Sequence, residues 1–194
     1  MMEIEIRGLE YIEKCLEAVP GEAESVLRQS VNKALQIAHR EALIQISRRY
    51  TISMQGVEKE FKEIRAKGGS IAARLESRGC PRGAMNFNVY PKEGSPFPAW
   101  TSKRGYATEI LSGQFEDVSP DYFWIALKGR NVHLARRKDP SKRDKESNKD
   151  LRIFKTVSTP QMLGNEEVSE KVVEATKAAL ENIFSAAMER RLTR

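Results

Sequence analysis

The sequence predicts an α+β domain in which two long amphipathic helices, one N-terminal and one C-terminal, pack on a mostly antiparallel sheet. Two observations carry that reading. Apolar residues recur at spacings of three and four through residues 20–50 and again through 168–188, the period of one helix face. Between residues 70 and 157 the period falls to two, punctuated by glycine and proline, as in short half-buried strands joined by turns.

The first helix is read over Pro20 to about Tyr50, with Ala23, Leu27, Val31, Ala34, Leu35, Ala38, Ala42 and Ile46 as its inner stripe. Pro20 suits the first turn, where its missing N–H costs nothing. Glu22 and Glu24 lie near the positive end of the helix dipole, and Arg48 and Arg49 near the negative end. Thirty residues make a rod of roughly 45 Å, so an equally long apolar cover is required.

Before that helix, Met2 to Arg7 alternates as a short strand with Ile4 and Ile6 on one face. Gly8 breaks it, and Leu9, Ile12, Leu16 and Val19 are spaced for a short helix flanked by Cys15. After Tyr50, Thr51-Ile52-Ser53 offers a cap, and Val57, Phe61 and Ile64 continue the helical period until Gly68-Gly69, which predicts a third helix. Ile71, Ala73 and Leu75, then Met85, Phe87 and Val89, alternate with polar neighbours across the turn-rich 78–83 segment and predict two paired antiparallel strands. The proline-rich 91–98 segment, within an exposed loop over 91–106, is unfit for a central strand, and Trp100 is placed to pin it. A strand over 107–115 follows, then a hairpin of 122–127 and 132–136 that holds the densest aromatic cluster.

Residues 136–150 contain almost no apolar side chain and predict a second exposed loop. Leu151, Ile153 and Phe154 resume strand character. Ser158-Thr159-Pro160 is a helix start, and Asn165 with Glu166 and Glu167 opens the closing helix. Its stripe is read as Val168, Val172, Ala175, Ala179, Ile183 and Ala187, with Leu180, Phe184 and Met188 offset by one. Arg190, Arg191 and Arg194 complement its dipole.

A length of 194 residues with no change of composition regime predicts one domain over 1–194. The formal charge of +6 attracts polyanions weakly without requiring them. Two cysteines, Cys15 and Cys80, are too few for a disulfide scaffold. Acidic residues stand where a signal peptide would be basic, and no apolar run approaches a membrane span, so a soluble protein used without export, with no membrane contact, is expected.

Little in the chain points to catalysis. His39 and His133 are the two histidines, with no cysteine or carboxylate at metal-ligand spacing beside either, so no metal and no cofactor is expected. Phosphate loops and nucleophile elbows are absent from the sequence. A metal-dependent nuclease would follow Pro120-Asp121 with a second carboxylate just before Lys128. Position 126 is alanine, so that motif fails, and Glu109, Glu116 and Asp117 read as solvated surface groups. The strongest candidate contact set is basic: Arg130, Arg136, Arg137, Lys138, Lys142 and Arg143, for assembly or for a polyanion, although Asp139, Asp144, Glu146 and Asp150 are interleaved and would repel phosphates.

One family matches this order of signals. Gly8-Leu9-Glu10 after a short strand, a proline-started helix containing Val31-Asn32-Lys33-Ala34, and Arg48-Arg49-Tyr50 leading to Val57 and Ile64-Arg65-Ala66-Lys67 resemble the minor tail protein Z family of lambda-like phages and prophages. Val157-Ser158-Thr159-Pro160-Gln161-Met162 followed by a long closing helix is similar to that family's final segment. The resemblance implies a non-enzymatic tail-completion protein at the head-proximal end of the tail. It implies self-association in rings, commonly of six subunits, docking to other tail or connector proteins, assembly in the bacterial cytoplasm and residence in the virion. The alternative reading is a basic nucleic-acid-binding module with weak DNA contact.

Overall fold

The computed structural model describes residues 12, 14, 17, 20–68, 70–90, 106–126, 132–139 and 150–193. The fold is α+β. In chain order the described elements are α1 (Pro20–Arg49), α2 (Met54–Glu58), β1 (Phe61–Ile64), β2 (Arg74–Ser77), a 3-10 turn (Ala84–Asn86), β3 (Asn88–Tyr90), β4 (Tyr106–Glu109), β5 (Phe115–Val118), β6 (Phe123–Ala126), β7 (Val132–Arg137), β8 (Leu151–Ile153), α3 (Thr159–Leu163) and α4 (Glu166–Leu192). The strands form three small antiparallel sheets in the orders β1-β2, β3-β4-β5 and β6-β7-β8, in place of one continuous sheet. Two compact units interleave in sequence: residues 1–46, 57–79 and 159–194 make the first, and 47–56 with 80–158 the second. Among the described residues no helix is long and apolar enough to cross a membrane.

The first unit is built on the two long helices. Helix α1 starts at Pro20 and ends in Arg48 and Arg49, as its sequence predicts. Ala23, Val26, Leu27 and Ala34 of α1 join Ile12 and the Leu180, Phe184 and Met188 side chains of α4 in one buried cluster, with Val31 and Ala187 at its margin. Ser30, also buried, returns its hydroxyl proton to the Val26 carbonyl at 2.9 Å and so satisfies itself within the helix. Helix α4 is capped by Asn165, whose Oδ1 accepts from the Val168 N–H at 3.4 Å. Its buried line differs from the predicted one: Val168, Val172, Thr176, Leu180, Phe184 and Met188 are buried, while Ala175, Ala179, Ile183 and Ala187 are half-buried. A strict spacing of four advances about 40° per step on a helix of 3.6 residues per turn, so this line winds around α4. Thr176 tolerates its buried place by donating to the Val172 carbonyl at 2.6 Å.

The predicted third helix is corrected by the structure. Helix α2 stops at Glu58 after five residues, the Glu60 N–H bonds the Val57 carbonyl, and residues 61–64 form β1 instead. Val57, Phe61 and Ile64 satisfy a helical spacing, but Gly56 weakens the helix and the partner strand 74–77 supplies a ladder: Phe61 faces Ser77, Lys62 faces Glu76, Glu63 faces Leu75 and Ile64 faces Arg74. The predicted pairing of the strand near 71–76 with that near 85–90 is likewise not formed. Ile71 and Ala73 run past the end of the four-residue β1 and stay outside the sheet, and β3 pairs with β4. Both faces of β2 are buried, including Glu76, whose side chain is 6% exposed and takes ion pairs from Arg78 at 3.0 Å and Arg74 at 3.8 Å.

The second unit holds the two three-stranded sheets. Ala84, Val89, Tyr106, Val118 and Leu134 are its buried core, with Tyr122, Trp124 and Phe154 packed at the edge. The Tyr106 and Trp124 rings meet edge-on at 5.3 Å, joining the sheets, and Tyr122 meets Phe154 in the same way at 5.2 Å. Tyr106 is thus a buried strand residue and not part of a loop reaching 106; residues 91–105, with Trp100, lie outside the described residues. The single strand expected over 107–115 is a hairpin, because residues 110–114 turn through Gly113 at φ 79°, a left-handed conformation that glycine adopts without strain. The β6–β7 hairpin is as predicted, Phe123 facing Ala135 and Ala126 facing Val132. The strand expected over 2–7, Cys15 and the segment 140–149 lie outside the described residues, whereas Ile12, Lys14 and Glu17 are helical, as the short first helix requires.

Glu109 organises the β4–β5 hairpin. Its carboxylate accepts from Asn88 Nδ2 at 2.9 Å and from the Gly113 N–H at 2.8 Å, and the Asn88 bond, followed by those from Gly113 and Tyr90, holds its pKa below the usual carboxylate range. A lowered folded-state pKa gives a stabilisation that is complete above the unfolded-state value and is lost as pH falls through the folded value. Glu109→Gln is therefore expected to lower the melting temperature at pH 7 and to differ less from wild type at pH 3. An equal difference at both pH values would rule this role out.

Candidate functional site

The predicted basic contact set is only partly a loop. Arg136 and Arg137 lie in β7 with half-buried side chains, which corrects the exposed loop expected to start at 136. The reason is pairing: Arg136 faces Arg152 and Arg137 faces Leu151 of β8. The Lys138 N–H donates to the Asp150 carbonyl at 2.8 Å, continuing the ladder by one residue. Arg130, Lys142 and Arg143 lie outside the described residues.

Around Arg136 and Lys138 the fold gathers Arg152 and Lys155, with the rings of Tyr122 and Phe154, into one open groove. Its position follows from the β6–β7–β8 register and from Phe154, whose N–H donates to the Leu134 carbonyl and carries β8 along β7. Arg136 and Arg152 sit directly opposite each other, so both side chains leave the same face of the sheet. Like charges so placed cost stability. The Arg136 guanidinium lies 5.5 Å from the centre of the Tyr122 ring, a cation–π contact that offsets part of this cost. Among the described residues none that lines the groove is acidic. Two opposed guanidiniums, two ammonium groups and two aromatic rings give the groove a chemistry able to attract a multiply charged anion. Arg152 and Lys155 escaped the sequence reading because the neighbouring Leu151, Ile153 and Phe154 mark the segment as core. The available signal was the alternation that puts Arg152 on the opposite face from Leu151 and Ile153.

A second constellation lies in the first unit. His39 of α1 and Glu63 of β1, twenty-four residues apart in sequence, share a hydrogen bond of 2.8 Å between Nδ1 and Oε1, and the Phe61 ring lies 5.3 Å from the imidazole. Arg65 donates to the other Glu63 oxygen at 3.4 Å. One residue beyond Arg65, Ala66 is clamped by Asn32: its N–H donates to Asn32 Oδ1 at 2.8 Å, and Asn32 Nδ2 donates to its carbonyl at 3.2 Å. A carboxylate beside His39 was not legible in the sequence. The pair ties β1 to α1, and no hydroxyl or thiol nucleophile accompanies it in the hydrogen bonds of the described residues. His133 is confined sterically, with its Nδ1 3.3 Å from where a Cβ on residue 83 would stand, so that space and not backbone conformation favours Gly83.

Asp121 is exposed and accepts from the Ser119 hydroxyl at 3.3 Å. Among the described residues no three histidine, cysteine, aspartate or glutamate side chains converge as a metal cage, and Cys80 is exposed as a free thiol. No protein-family model matches the chain, and neither a curated protein nor a solved structure matches it.

Proposed function

We propose that this chain is a non-enzymatic structural protein of a phage or prophage tail, which completes or joins the head-proximal end of the tail by ring-like self-association and docking to other tail or connector proteins. It would be assembled in the host cytoplasm and carried in the virion. The observation that supports this reading most is the use the fold makes of the residues behind the resemblance. Asn32, from Val31-Asn32-Lys33-Ala34, grips the backbone of Ala66, from Ile64-Arg65-Ala66-Lys67, by two hydrogen bonds. Tyr50, closing Arg48-Arg49-Tyr50, is buried and bridges to Leu111, while the Arg49 carbonyl accepts from the Ser112 N–H. Thr159 and Met162 are fully buried in and around α3. Residues used in this way specify a scaffold, as a tail component requires, and supply no reacting group.

Deleting the reading frame from the phage or prophage that carries it tests the proposal. Electron microscopy should show filled heads and separate or aberrant tails with few infectious particles, restored by the wild-type gene in trans. Normal particle yield from the deletion would dispose of the proposal.

The basic groove favours a second reading, a nucleic-acid-binding module, since cations beside aromatic rings suit single strands. That reading predicts oligonucleotide affinity that falls steeply between about 50 and 200 mM salt and is removed by Arg152→Ser with Lys155→Ser.

A further inference from the structure

Strand β5 is an edge strand of its sheet, and its first three residues, Phe115, Glu116 and Asp117, are all exposed. Phe115 is 63% exposed, the most of any large apolar side chain among the described residues, although its ring lies 5.6 Å from that of Tyr90. Natural edge strands are commonly blunted by charged side chains, lysine above all, or by proline. This one presents an aromatic ring and two carboxylates, and neither Glu116 nor Asp117 makes an ion pair among the described residues. The same unit carries the groove of Arg136, Lys138, Arg152 and Lys155, with Tyr122 and Phe154 beside them. Arg136 and Arg152 are opposed there at a cost to stability, and neither meets a carboxylate among the described residues.

Each surface thus has what the other lacks: an exposed ring and two anions on one, cations and aromatic edges on the other. We propose that the Phe115–Asp117 edge of one copy docks in the Arg136–Arg152 groove of the next copy. This rests on the ring reading given above and names the surfaces that would form the ring. Phe115 and Asp117 leave the same face of β5 and enter together, Phe115 against Tyr122 and Phe154 and Asp117 toward Arg152 and Lys155. Because the edge and the groove are different surfaces, the contact is head-to-tail, the type that makes a ring when its rotation closes and an open filament when it does not. The partner's carboxylates also relieve the repulsion between the two arginines, so the cost borne by the isolated chain becomes a preference for assembly.

Charge exchange tests the pairing. Glu116→Lys with Asp117→Lys makes a chain basic on both surfaces, and Arg152→Glu with Lys155→Glu cancels the net charge of the groove and puts carboxylates at the two positions that Asp117 is to meet; all four positions are exposed. Sedimentation should show wild type as a closed oligomer and each swapped chain, folded by circular dichroism, as a monomer. An equal mixture of the two swapped chains should regain the oligomer, since each edge then meets opposite charges at positions 152 and 155, and so should a chain carrying all four changes. Phe115→Ser should weaken association with no change of charge. A monomeric wild type overturns the proposal, as do swapped chains that assemble unaided and a mixture that stays monomeric. A wild-type ring indifferent to every swap removes this contact but leaves the tail reading, which the gene deletion judges separately. Tight oligonucleotide binding lost in Arg152→Glu, with no change of mass in any variant, would give the groove to nucleic acid instead and would also overturn it.

Discussion

Phe184→Ala is expected to lower stability by about 3–5 kcal/mol, the range for a large aromatic removed from a well-packed core. Phe184 is fully buried and belongs to the cluster that joins α4 to α1, with Leu180 and Met188 from its own helix and Val26, Leu27 and Ala34 from the other. Domains of this size have a total stability of only about 5–15 kcal/mol, so Phe184→Asp, which adds an unpaired charge to the same volume, should prevent folding of the first unit altogether. Leu35→Asp should act in the same way, because Leu35 is also buried. Ile183→Asp is the control. Although the sequence places Ile183 on the inner stripe, it is half-buried, and its substitution should be milder than that of its neighbour. Denaturant titration of the four variants checks this, and a milder Phe184→Asp than Ile183→Asp would show that the buried line of α4 is assigned to the wrong residues.

Asn32→Ala comes second, at about 1–3 kcal/mol. The loss is not of side-chain packing. Ala66 is buried, and without Asn32 its N–H and C=O keep no partner among the described hydrogen bonds, so the cost is that of leaving backbone groups unsatisfied. Asn32→Asp separates the two bonds. The carboxylate still accepts from the Ala66 N–H but cannot donate to its carbonyl, and it brings a negative charge against that oxygen, so it should rescue little. Amide hydrogen exchange at Ala66 gives a local readout: protection should fall in Asn32→Ala by more than the global loss explains. A variant within about 0.5 kcal/mol of wild type, the spread of ordinary surface changes, would mean the clamp is incidental.

The sequence by itself determined the features whose cause is local. Helix α1 begins at Pro20 and ends at its arginines, α4 begins behind Asn165, and the β6–β7 hairpin forms as read, because period, caps and turn residues act within a few positions of each other. Tertiary structure decided wherever one local pattern admitted two outcomes. Val57, Phe61 and Ile64 satisfy a helical spacing, yet the availability of 74–77 as a partner made 61–64 a strand. Ile183 and Phe184 both fit an apolar stripe, and only the helix packed against them chose Phe184. The candidate site lies entirely on this side of the division. Arg136 and Arg152 become neighbours through the β7–β8 register, and Asn32 and Ala66 through a contact across thirty-four residues, and neither register nor long-range approach leaves a mark in the spacing of a single chain.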